Sequence, residues 1–61
     1  MTDDDKMPFG IFKGRRIGDV PAYYLLSLYD EKSEFDDKEH QEVYDYIGEN
    51  FDYLVAVANL L

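Results

Sequence analysis

Between Lys6 and Pro21 lie three of the chain's four glycines, both of its prolines and four of its six basic residues. This stretch constrains the fold more than any other. Glycine supplies backbone angles that other residues avoid, and proline fixes its own φ and restricts the residue before it. Met7–Phe9 and Ile11–Ile17 read as two short strands, with Phe9, Ile11, Lys13 and Arg15 on one face by the period of two and Phe12 on the other. Gly10 falls where a strand bulges or turns, and Gly14 where a hairpin needs a positive φ. The expected local structure is therefore a β-hairpin with its tip at Lys13-Gly14-Arg15-Arg16.

Gly18-Asp19-Val20-Pro21 then signals a helix start, because Val20 is held extended by the proline and Pro21 suits a first turn, where a missing N–H costs nothing. Tyr24, Leu25, Leu28 and Tyr29 form one apolar stripe, widened by Leu26, so this helix should end near Asp30–Lys32. Ser33 with Asp36, and Asp36 with Glu39, are competing capping boxes for a second helix. Its apolar row runs Val43, Ile47, Phe51, Leu54, Ala58 and Leu61 at helical steps across Gly48. That favours one long helix, kinked or frayed at Gly48–Asn50. The alternative is two helices, with Asn50 capping the second. The fold expected from these elements is α+β, a small β-hairpin packed on two antiparallel helices of which the second is long. Residues 1–6 would be a disordered acidic leader and residues 7–61 one small domain. The predicted core is Phe9, Ile11 or Phe12, Ile17, Val20, Tyr24, Leu25, Leu28, Val43, Ile47, Phe51 and Leu54.

A chain of 61 residues without cysteine has neither disulfides nor thiolate metal sites to staple it, so apolar burial must hold it together. Six tyrosines and four phenylalanines supply that burial, since each aromatic side chain covers about 150–250 Å². Two helices and a hairpin cannot hide all six tyrosines, and an excess on one side would mark an interface. No apolar run approaches the ~20 residues of a membrane span. The polar, acidic start is unlike a signal peptide, so a cytoplasmic protein that does not enter membranes is expected.

The net charge of -8 is unevenly placed. Asp3, Asp4 and Asp5 lead the chain; Lys6 to Gly18 carry four cations and no acid; and Asp19 onward carries eleven acids against Lys32 and Lys38. The whole-molecule field opposes nucleic acid and anionic membranes, while the basic stretch alone suits a phosphate or a carboxylate.

Met7-Pro8-Phe9-Gly10, Lys13-Gly14, Ile17-Gly18-Asp19-Val20-Pro21 and Tyr24-Leu25 together resemble a family of small bacterial and phage proteins labelled "putative quorum-sensing-regulated virulence factor". The family is otherwise a domain of unknown function, with the pattern M-P-F-G-K-Y-K-G, a short linker to a proline, and Y-L-x-W-L. Tyr46-Ile47, Asn50 and Leu54 resemble its closing Y-I-x-x-N-x-x-x-L helix, and a similar module resembles the C-terminal appendage of some DEDD-type exonucleases. The chain departs at Ile11 and Phe12, where Lys and Tyr are usual, and at Ser27-Leu28, where Trp-Leu is usual.

No catalytic motif accompanies this pattern. Gly10, Gly14 and Gly18 recur every fourth residue, without the spacing of a dinucleotide or phosphate loop. Ser27 and Ser33 lack a nucleophile-elbow setting, and His40, the one histidine, sits among acids where a surface ion pair with Asp36 or Asp37 is its plainest role. The candidate binding residues are Lys13, Arg15 and Arg16 at the tip, with Phe12 and Tyr23 beside them. The sequence thus points to a non-enzymatic interaction module without metal or cofactor, a small accessory or regulatory protein. Its partner would be a protein; a nucleic acid held by the basic tip, or a basic protein that takes the acidic surface as a nucleic-acid mimic, is the alternative. A homo-oligomer through the C-terminal apolar turns is a further expectation.

Overall fold

The computed structural model describes residues 1–60. It is all-helical. A single 3-10 turn, Ile17–Asp19, precedes α1 (Ala22–Asp30), α2 (Lys38–Glu49) and α3 (Phe51–Asn59). The expected α+β architecture with a β-hairpin is corrected. Among the described residues no strand forms, and β pairing is limited to one isolated antiparallel bridge between Lys6 and Arg16.

The glycines explain the difference. Gly10 and Gly14 both take positive φ, +81° and +87°, only four residues apart. Two tight turns follow, with Lys13 N–H donating to the Gly10 carbonyl at 3.2 Å and Arg15 N–H to the Phe12 carbonyl at 3.0 Å. Such curling leaves no extended run between Phe9 and Arg15. The stretch after Gly14 pairs instead with the N-terminal segment. Met7 N–H donates to Arg15 at 2.8 Å, Ile17 N–H to Asp5 at 2.7 Å and Gly18 N–H to Asp3 at 3.0 Å. Within residues 1–6, expected as a disordered leader, Asp3, Asp5 and Lys6 therefore pair with the stretch Arg16–Gly18, and Asp3 also accepts a hydrogen bond from the Tyr46 hydroxyl at 2.6 Å.

α1 begins after Pro21 and ends at Asp30, as the apolar stripe predicts. α2 is capped by Asp37, one residue beyond the expected Asp36; its carboxylate accepts the His40 N–H at 3.1 Å. The long helix is two helices. α2 runs through Gly48 and stops at Glu49, and the break falls on Asn50, whose φ of -112° and ψ of 17° leave the helical region. Asn50 does not cap α3 with its side chain; its Nδ2 donates back to the Tyr46 carbonyl at 2.9 Å.

α1 packs on both α2 and α3. The core comprises Met7, Ile17, Val20, Ala22, Leu25, Val43, Tyr46, Ile47 and Leu54, and Tyr44 is buried as well. Ile17, Val20, Leu25, Val43, Ile47 and Leu54 were all expected there. Phe51 is not in it; 41% exposed, it leans on Tyr29 at 5.6 Å between ring centroids. Leu61, expected on the apolar row, lies outside the described residues. No described helix is long and apolar enough to cross a membrane.

Candidate functional site

The basic stretch forms a closed loop rather than a hairpin tip. Its base is held from both sides of Met7, whose N–H donates to Arg15 at 2.8 Å and whose carbonyl accepts from Gly14 at 2.9 Å. Its inner wall is Phe12, set edge-on against Tyr24 of α1 at 4.8 Å. Gly10 lies directly against the Tyr24 hydroxyl, where an added Cβ would collide with that oxygen. Phe12 turned inward leaves Ile11 outward and 81% exposed at the tip, next to exposed Lys13 and Arg15.

The five candidate residues do not converge. Lys13 and Arg15 have no ion-pair partner among the described residues. Arg16 is neutralised within the molecule, at 3.0 Å from Asp19 and 3.5 Å from Asp4. Phe12 is occupied by Tyr24 and serves to hold the loop. Tyr23 is exposed on α1, but its neighbour Tyr24 is the residue that meets the loop. Sequence reasoning left Ile11 and Phe12 as alternatives for the core; the structure seats Phe12 and exposes Ile11.

His40 is placed differently from a solvated surface histidine. Its imidazole is stacked between Phe9 at 4.0 Å and Phe35 at 4.5 Å, both nearly parallel to it. Its Nδ1 donates to Asp37, with the two carboxylate oxygens at 2.7 and 2.9 Å. That side-chain bond, followed by the His40 N–H, holds the Asp37 carboxyl below the ordinary carboxylate range. The stack joins the loop, the link before α2 and α2 itself, so it supports the base of the loop from the Phe9 side. The ion pair was legible from the three-residue spacing; the two phenylalanines were not.

The loop, its Phe9 anchor and the α1 residue that seats it all fall within the stretch matched by one protein-family model, which spans residues 2–37 and carries the description "Putative quorum-sensing-regulated virulence factor". The chain belongs to this family. The match takes in the N-terminal segment, the loop, α1 and the link up to the α2 cap. Tyr46-Ile47, Asn50 and Leu54, which also resembled the family pattern, lie beyond it. No curated protein and no solved structure matches the chain.

Two further features complete the surface of this family member. The exposed acids of α2, Glu39, Glu42, Asp45 and Glu49, recur at steps of three and four and so form one row along the helix. Tyr53 in the first turn of α3 and Leu60 at its C-cap are exposed. Among the described residues no cluster of three or more metal-ligating side chains forms.

Proposed function

We propose that this chain is a non-enzymatic interaction module, a small accessory or regulatory protein of bacterial or phage origin that docks on a protein partner through the loop Gly10–Arg15. The observation that carries this reading is an exposed isoleucine beside two unpaired cations on a loop fixed by two turns, an aromatic contact and a histidine stack. Fixing a loop beforehand lowers the ordering cost of binding. In a molecule of net charge -8, two cations left without partners favour an acidic surface with a notch for one aliphatic side chain. The family label is in keeping with a small protein and specifies neither a role nor a partner.

The test is an amide-resolved NMR titration at low and near-physiological salt. Its probes are a glutamate-rich peptide carrying one leucine, and short single- and double-stranded DNA. The reading expects the peptide to shift Ile11–Arg15 and to persist at the higher salt. DNA that shifts the same residues and fades steeply with salt would replace it with a nucleic-acid-associated role, the direction in which the exonuclease-appendage resemblance points. Phe12, already packed on Tyr24, offers no free ring for a base, which weighs against that outcome.

A second reading has its own support. The single row of acids along α2 is the ordered negative face that a basic protein would take in place of nucleic acid. A lysine-rich peptide that shifts Glu39–Glu49 and leaves the loop unmoved would favour it.

A further inference from the structure

On the side of the molecule where the N-terminal segment crosses α2, an open pocket of about 240 Å³ is lined by Asp3, Gly18, Tyr46, Asn50 and Tyr53. The Asp3 carboxylate is the only charged group in its lining. The Tyr46 hydroxyl is spent on Asp3 Oδ1, at 2.6 Å. The Gly18 N–H is spent on the Asp3 carbonyl at 3.0 Å, and Asn50 Nδ2 on the Tyr46 carbonyl at 2.9 Å. What remains are the second oxygen of the Asp3 carboxylate, Asn50 Oδ1 and the Tyr53 hydroxyl as acceptors, with one Asn50 N–H and the Tyr53 O–H as donors.

We infer that this pocket takes a cationic side chain, lysine or arginine, of a protein partner. A carboxylate oxygen beside two tyrosine side chains forms the surroundings that hold an ammonium or guanidinium group, by charge-assisted hydrogen bonding and by cation–π attraction where a ring is in reach. The carboxylate is oriented in advance, through Tyr46 on one oxygen and through the backbone pairing of Asp3 with Gly18. Burial first, and then the bond to Asp3, push the Tyr46 hydroxyl far above the ordinary phenol range, so it stays a donor and keeps the carboxylate aimed. Glu42 and Glu49 stand at i-4 and i+3 from Tyr46 and are its neighbours on the helix surface. They extend the negative field over the pocket mouth and draw a basic partner toward it. The site is separate from the loop Gly10–Arg15, shares no residue with it, and stands or falls without it.

The test uses the full chain, labelled with nitrogen-15, and three capped pentapeptides with lysine, arginine or norleucine between flanking glycines. Saturable shifts of Asp3, Gly18 and the Asn50 side-chain amide are expected with the lysine or arginine peptide and not with norleucine. Tyr53→Ala and Asp3→Asn should each weaken that binding about tenfold. Tyr53 is 67% exposed, so its removal leaves the fold intact. The inference is overturned by an equal response to norleucine, by no response to either cationic peptide, or by shifts spread along Glu39–Glu49 that survive both pocket variants.

Discussion

Gly10 and Gly14 share a backbone conformation but not a setting, and the difference predicts unequal costs. At Gly14 nothing lies within reach of an added Cβ, so Gly14→Ala meets the penalty of positive φ alone, about 1 kcal/mol. At Gly10 the same methyl group meets the Tyr24 hydroxyl as well, so Gly10→Ala should cost about 2 kcal/mol or more and loosen the loop. Urea denaturation of the two variants compares them directly. A third residue, Tyr44, is buried with its hydroxyl unpartnered. Tyr44→Phe removes an unsatisfied polar atom and keeps the ring, so it should be neutral or raise stability by up to about 1 kcal/mol in the same assay. The glycines announced turns in the sequence. Which turns they made was not legible, because a left-handed residue serves a hairpin and a coiled loop equally well. The choice between Ile11 and Phe12 likewise depended on Tyr24, a partner set by the tertiary fold.

At the scale of elements, the start of α2 carries a pH dependence. Asp37 accepts from the His40 backbone and side chain, and its carboxyl titrates below the ordinary value. A folded value below the unfolded one gives stability that is full above the unfolded carboxylate range and is lost as pH falls through the folded value. Melting temperature should therefore drop between about pH 5 and about pH 3, and Asp37→Asn, which still caps but does not titrate, should flatten part of that drop. A variant as steep as the parent would remove Asp37 from the explanation. Helix α1 was legible almost to the residue because its stripe and proline agree. The break at Asn50 stood only as the alternative to one long helix, since Val43, Ile47 and Leu54 stay in phase across it and periodicity records phase rather than continuity. Phe51 shows the cost of assuming one helix: next to the break it turns toward Tyr29 and remains partly exposed.

At the scale of the whole molecule, one contact that no local pattern announces ties distant parts of the chain together. Tyr46 and Asp3 are 43 residues apart, and their hydrogen bond fastens the N-terminal segment to α2. Asp3→Ala should strand the Tyr46 hydroxyl and cost about 1–3 kcal/mol, while the double variant with Tyr46→Phe should recover part of the loss. Composition alone described residues 2–6 as solvated, because acids have nothing to bury. Their order comes from backbone hydrogen bonds to residues 14–18, and those depend on where Gly14 sends the chain. Both proposed binding surfaces rest on this framework, as the loop springs from it and Asp3 belongs to it. The measurement to make first is backbone nitrogen-15 relaxation across the chain. Order parameters for Asp3 to Val20 close to those of α1 and α2, about 0.8 or higher, are the expected result. Values for Asp3–Lys6 and Gly10–Arg15 below about 0.6 would contradict the account and leave neither surface in place to bind.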